Sequence, residues 1–439
     1  MSRKGFGGQP QHITRTSCPA ITVVDMTTLD RPDNYFQTDT SLAENDRKAR
    51  KAANTLGQPV RFGSKILDVL VNYAFDPTGD VVFVAEAGGQ VTALKLSTNE
   101  FPTTLKGPRA PLTCLAVHAQ TNATDPFTSM RLFAGCWDKS IWQYVIRFAE
   151  GIPAARIITS QSSFPAHQDF IKCLLVASTP DKEDILISGG TDGDIRFWSL
   201  DGRSLGFLKP DSRGIEHLAI DPLSSPNKTS VFFSTSKRDI YHFTLPDSSQ
   251  LNSSGIKLSG PILAHDTSVY KLHFDEDGDL WTASADKTAK QLSRNRNWEP
   301  DMTLLHPDFV RDIVTHESYG WVITACRDEQ VRVWDKATGN LHHIFSGHFE
   351  EVTGLAVIDD LVISVSIDAT LRRWSLEPAA LRKAVEEAKN PQLLESEPEP
   401  ESDLPMLTEE EEAELQALME EEGSETLEQM VEDVPINRN

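Results

Sequence analysis

The sequence predicts an all-β protein, a seven-bladed β-propeller with a helical and disordered acidic C-terminal tail. Three observations lead to this fold. First, the segments 187–198, 324–334 and 364–374 repeat one pattern, an Asp followed six residues later by a Trp: Asp192 and Trp198, Asp328 and Trp334, Asp368 and Trp374. Second, weaker copies place equivalent anchors at 88, 138, 237 and 286, so that seven anchors recur 40 to 54 residues apart. Self-similarity at that period is the mark of a repeat architecture, and seven copies of about four strands make seven blades. Third, each copy alternates apolar and polar residues on both sides of its anchor, the period of a half-buried strand.

Taken in chain order, residues 1–57 form an N-terminal extension without a clear strand pattern. Within it, 46–53 (DRKARKAA) reads as a short helix with a basic face. A solvated helical turn in a linker is the favoured reading; a nuclear-import patch or a phosphate contact is the alternative. The propeller spans 58–376. Its last copy stops one strand short of a full blade, so the ring needs a strand from elsewhere. Residues 58–62 are the expected donor, and 21–26 are the rival.

Within the copies a His recurs upstream of the anchor: His167, His265, His306 and His348. Each is followed by the apolar residue that opens a strand, Ile171, Val269, Val310 and Val352. The anchor Asp sits where a tight turn is needed, and a carboxylate there can accept turn N–H groups. A His, a Ser or Thr, the Asp and the Trp can thus form one buried hydrogen-bond chain per blade. This pattern resembles the WD40 family over roughly residues 58–376. The resemblance implies structural tetrads at His167, Ser188, Asp192 and Trp198; at His306, Thr324, Asp328 and Trp334; and at His348, Ser364, Asp368 and Trp374. The other copies depart from it. Leu292 takes the Trp slot after Asp286. Tyr144 takes it after Asp138, with Pro108 in the His slot. Lys237 and Phe243 replace Asp and Trp in the fourth copy, and Gly88 and Leu94 in the first.

After the propeller, 377–390 reads as a short helix with Pro378 at its start and Pro391 beyond its end. Residues 391–439 form an acidic tail. The net charge of the chain is −23, and 20 acidic against 4 basic residues from Glu377 onward place −16 of it there. Inside the tail, 408–420 reads as an amphipathic helix. Thr408 and Glu411 form a capping box, and Leu415, Leu418 and Met419 form an apolar stripe. Two readings stand side by side: a docking motif for a basic partner, or a solubilising tail with residual helicity.

Composition narrows the function. No run of about 18 apolar residues exists, so no membrane span is expected. The N-terminus lacks an apolar signal core and the five cysteines form no close pair, so an intracellular, cytoplasmic or nuclear, location is expected. The charge distribution lacks the basic stripe of a nucleic-acid reader, so no direct nucleic-acid contact is expected. No nucleophile elbow, zinc-protease or phosphate-loop motif occurs. The run 275–279 (DEDGD) has its Gly at the wrong position for a calcium loop and fits a hairpin turn better. His342 and His343 are neighbours in a strand and point to opposite faces. No catalytic residue, cofactor or metal is expected.

On such a scaffold, loops carry function. Two positions per blade are exposed on the face that bears the turn Asp. They hold Phe170, Phe309 and Phe349 after the His, and Trp137, Thr191, Lys237, Arg327 and Ile367 before the Asp. Trp137, Phe170, Phe309, Arg327 and Phe349 have the composition of an interface hot spot, with packing between blades as the competing role for each ring. The expected function is a non-catalytic scaffold for protein–protein interactions, a monomer within a hetero-complex, with a basic partner on the tail. The alternatives are a ubiquitin-ligase substrate receptor, against which the sequence reads Trp334-Asp335-Lys336-Ala337 where such receptors carry W-D-x-R, and a non-catalytic subunit of an RNA-modification or ribosome-assembly complex.

Overall fold

The alternating segments become seven antiparallel four-stranded sheets in the computed structural model, which describes residues 44, 47–49, 51–71, 73, 78–120, 127–149, 156–225, 228–252 and 256–389. Blades 1 to 6 are continuous in sequence, at 66–106, 112–165, 171–208, 215–262, 269–305 and 310–346. Each runs from its innermost to its outermost strand. Blade 7 takes three strands from 352–375, and its fourth is Val60–Arg61, which pairs antiparallel with Thr370 and Leu371. The closing strand therefore lies inside 58–62, as the sequence predicts; the rival segment 21–26 lies outside the described residues. The innermost strands of consecutive blades are neighbours, and that of blade 7 meets that of blade 1, so the seven sheets form a ring.

The core lies between neighbouring sheets. Phe83, Leu105, Leu132 and Tyr144 join blades 1 and 2, and Ile187, Phe197, Phe233 and Phe243 join blades 3 and 4. This explains why the Trp slot tolerates Tyr144, Phe243, Leu292 and Leu94. All four are buried, and an apolar side chain of sufficient volume fills the gap between sheets with or without an indole N–H.

One regularity is invisible in the sequence. In every blade the innermost strand shifts register after its first residue, which leaves out Leu67, Thr113, Lys172, Glu216, Tyr270, Arg311 and Thr353. Such a bulge turns one side chain out of the ladder and sharpens the local twist. Here several of the released side chains reach a neighbouring blade. The hydroxyls of Thr113 and Thr353 donate to the carbonyls of Ile171 and Ile66, Lys172 pairs with Glu216, and Arg311 pairs with Glu351 and lies over the Tyr270 ring. One residue further along, Asp68 and Asp312 repeat the device with carboxylates, accepting the N–H groups of Leu115 and Leu355 in the next blade.

On the face opposite the turn Asp residues, polar clamps stitch blade to blade. His118 meets Asp184 at 2.9 Å, Arg294 holds Asp221 through both guanidinium ends, and Lys336, held at 2.7 Å by Glu317 of its own blade, reaches Asp275 of blade 5 at 3.1 Å. The run 275–279 is the hairpin turn between Val269–Phe274 and Leu280–Ser284, with Gly278 at φ +81° and Asp275 accepting the Trp281 indole N–H at 3.0 Å. A second unit begins at Leu376 and contains the helix Pro378–Lys389. Among the described residues no helix is long and apolar enough to cross a membrane.

Candidate partner-binding rim

The loops of the upper face, which bears the turn Asp residues, are anchored from below by side-chain chains of graded completeness. In blade 3 the indole of Trp198 donates to Ser188 Oγ at 2.9 Å. The Ser188 hydroxyl meets His167 Nε2 at 2.7 Å, and His167 Nδ1 meets Asp192 at 2.9 Å. Burial works against the Asp192 carboxylate, but the hydrogen bonds from His167 and the Gln168 N–H bring it down to about 2. Blade 7 repeats the relay through Trp374, Ser364, His348 and Asp368 at 2.8, 2.8 and 2.9 Å. Blade 5 holds a three-member version, Thr282, His265 and Asp286, because Leu292 has no N–H to contribute.

Blade 6 departs from the predicted tetrad. His306 Nε2 meets Thr324 at 2.8 Å and Trp334 donates to Thr324 at 2.9 Å, but His306 Nδ1 turns to the carbonyl of Leu304 at 3.2 Å. Asp328 is held instead by both ends of the Arg332 guanidinium, at 3.0 and 2.5 Å. The difference follows the basic residue four positions after the Asp. Arg196 is held by Asp194 in blade 3, Lys290 by the Ala264 carbonyl in blade 5, and Arg372 by Asn54 and the Leu56 carbonyl in blade 7. Thr288 and Thr370 also bind their carboxylates, whereas blade 6 has Gln330, which bonds Ser346. Arg332 instead takes Asp328 with both ends of its guanidinium.

The remaining blades use other anchors, of which sequence reasoning missed Glu86. In blade 1 the fully buried Glu86 accepts from the Ser64 N–H and hydroxyl, from Gln90 at 2.9 Å and from Thr92 at 2.6 Å. A buried carboxylate needs that many donors. In blade 2 Asp138 accepts the Ser140 N–H at 2.9 Å and the Trp142 indole at 3.2 Å. In blade 4 Lys237 donates to the Asp211 carbonyl at 3.2 Å.

The structure gathers the rim residues into separate groups. Trp137, before the blade 2 turn, and Phe170, before the innermost strand of blade 3, stack at 5.0 Å with an interplanar angle of 18°. They stay 45 % and 38 % exposed. Their backbones are fixed, since Trp137 N–H donates to the Pro111 carbonyl and the Phe170 carbonyl accepts from Thr191. In blade 6 the Arg327 guanidinium lies 5.2 Å from the Phe309 ring centre, and the Arg327 N–H donates to the Phe309 carbonyl. In blade 7 Phe349 is half-buried, its N–H on Asp368 at 3.2 Å, and the Ile367 N–H donates to the Glu351 carbonyl. The tail stripe Leu415, Leu418 and Met419 lies outside the described residues.

The N-terminal basic stretch also lies on this rim. Arg47, Lys48 and Lys51 are helical, and the favoured expectation of a solvated turn is corrected: Arg47 and Lys51 close on Glu329, and Lys48 on Glu350. Sequence reasoning gave no partner because the acids lie about 280 to 300 residues away.

The pattern of the family described as "WD domain, G-beta repeat" matches residues 158–199 and 298–335. An uncharacterized WD repeat-containing protein of Schizosaccharomyces pombe is 32% identical over 359 residues, 80% of this chain and 90% of that protein. Two further similarities are partial. The non-catalytic subunit wuho of a tRNA (guanine-N(7)-)-methyltransferase from Drosophila mojavensis is 40% identical over 80 residues, 17% of this chain and 21% of that protein. Mitochondrial division protein 1 of Saccharomyces cerevisiae is 27% identical over 174 residues, 35% of this chain and 24% of that protein. A seven-bladed ring with His–Ser–Asp–Trp relays in its blades, and a relative aligned along most of its length, place this chain in the WD40-repeat family, whose propellers are typical platforms for protein interaction.

Proposed function

We propose that the chain is a non-catalytic scaffold subunit of an intracellular multiprotein complex, in the cytoplasm, the nucleus or both. It enters that complex as a single copy, holds one partner on its upper rim and meets a basic partner through its acidic tail. The observation that carries this reading is the Trp137–Phe170 stack, two large rings held rigidly by their backbones and left open to solvent. Pre-positioned aromatic anchors lose little conformational entropy on binding and dominate interface energetics. The likeness to the wuho subunit favours a second, narrower reading, a non-catalytic subunit of an RNA-modifying complex.

The test is affinity purification of the full chain with quantitative mass spectrometry. The wild type is compared with a Trp137→Ala, Phe170→Ala double variant and a Leu415→Ala, Leu418→Ala, Met419→Ala triple variant. The expected result is a partner set that survives high salt and is lost with the rim rings, and a salt-sensitive set lost with the tail stripe. Identical recovery by all three proteins would overturn both interface assignments. Turnover of a substrate by the purified chain alone would overturn the scaffold reading itself.

A further inference from the structure

The turn position after each anchor Asp adopts a left-handed backbone in several blades. It holds Gly89, Lys139, Gly193, Lys287 and Ala369 in blades 1, 2, 3, 5 and 7, and Glu329 at φ +73° in blade 6. Glutamate gains nothing from this conformation. Its carboxylate is nonetheless the best-covered acid of the blade 6 turn: the side chain is 11% exposed and takes two N–H groups of Arg47 at 2.7 Å and the Lys51 ammonium at 2.6 Å. Burial raises its proton affinity, but the two cations hold it below the usual carboxylate range. On blade 7, Glu350 takes Lys48 at 2.8 Å, and Lys48 also bridges back to Glu44. Two acids on neighbouring blades thus read three cations at helical spacing.

Ion pairs and one backbone contact, the Arg61 guanidinium on the Ala52 carbonyl at 2.7 Å, hold the described part of this helix. Its described apolar side chains are Ala49, exposed, and Ala52, half-buried. Ion pairs of such exposure are individually weak. The chain downstream is anchored differently: the Asn54 side chain donates to the Gly347 carbonyl at 2.9 Å and accepts from the buried Arg372 at 2.7 Å, and Val60–Arg61 completes blade 7. The helix can therefore lift while the ring stays closed. Beside the two acids stand the rim rings, Phe349 next to Glu350 and Phe309 in the same blade as Glu329. A basic helix with one apolar anchor gains a contact that this chain's own alanines do not supply.

We propose that the upper face of blades 6 and 7 is a docking site for a basic helical segment of a partner protein, occupied at rest by the chain's own Arg47, Lys48 and Lys51. This rests on the scaffold reading above and adds the chemistry of one partner: cations spaced to meet Glu329 and Glu350 together.

The test uses the purified full chain and a fluorescent synthetic peptide of residues 40–56 added in trans. Loosening the resident helix by Arg47→Ala, Lys48→Ala and Lys51→Ala is expected to tighten peptide binding about tenfold or more, because an intramolecular competitor at high effective concentration is removed. Binding should weaken steeply as the Debye length shrinks from about 30 Å to about 3 Å with added salt. It should return to background when Glu329→Gln and Glu350→Gln are added to the loosened chain. Equal binding to the wild-type and loosened chains, or binding that survives the two Gln substitutions, overturns the proposal. No second protein enters this measurement, so its outcome is independent of whether the purification finds partners.

Discussion

In blade 7 the imidazole of His348 lies 2.9 Å from Asp368; in blade 6, with Thr324 for Ser364 and the other three residue types unchanged, His306 points the corresponding nitrogen at a carbonyl and Asp328 belongs to an arginine. The difference shows what each member of the relay does. The Trp, the Ser or Thr, and the His form a unit set by packing between sheets, and it survives in both blades. The link from His to Asp depends on a fifth residue, Arg372 or Arg332: the first is held by Asn54 and the Leu56 carbonyl, and the second takes the carboxylate.

The largest expected effect tests the shared part. Trp374→Ala and Trp334→Ala should each cost about 3–5 kcal/mol in denaturant unfolding, the range for removing a buried Trp. A Trp334 variant costing less than half as much as its counterpart would mean that blade 6 depends on its Trp less once the Asp is diverted.

Next in size is a difference in pH response. Burial, with the Arg332 charge second, pulls His306 down to about 4. A histidine whose folded value is depressed contributes stability that is present above its unfolded value near 6.5 and lost as pH falls from there toward 4. At pH 5 that loss is about 2 kcal/mol. Thermal melts at pH 7 and pH 5 should therefore differ more for the wild type than for His306→Gln; parallel shifts would show that His306 titrates normally.

Gln330→Asp sharpens the comparison directly. It gives Arg332 the acid that Asp194 gives Arg196 in blade 3, which frees Asp328 to face His306. The His306 imidazole should then titrate at higher pH by nuclear magnetic resonance, and stability should rise by about 0.5–1 kcal/mol, the worth of one hydrogen bond. An unmoved titration would show that Arg332 holds Asp328 regardless of its neighbour. The smallest effect belongs to the surface. Lys48→Ala should leave stability within about 0.5 kcal/mol of the wild type by thermal melting, since it removes partly exposed ion pairs.

The sequence carried the blade count, the turn positions and the closing strand because these depend on local alternation and on copies of one motif. It overcounted the tetrads, because matching His306 to Asp328 ignores Arg332, which takes the carboxylate. It missed Glu86, which anchors blade 1 from a strand position where other copies carry small residues. It missed the bulge residues because a register shift leaves no trace in alternation. The resident helix could be read as basic and helical, but its acids stand about 280 to 300 residues away, and nothing local marks that pairing. Trp137 and Phe170 were legible as exposed rim positions; their stacking needed the ring to bring blades 2 and 3 side by side.

The strand that closes the ring has a consequence for how the protein is made. Val60 pairs with Leu371, about 310 positions later in the chain. At about 5–20 residues per second, the ribosome releases the first partner roughly 15–60 s before the second. Through that interval the outer edge of blade 7 does not exist, and the blades already synthesised stand as an open arc with bare sheet faces at both ends. Closure is thus an event near the end of translation, and a nascent chain stalled before residue 370 is a substrate for chaperones rather than a smaller propeller.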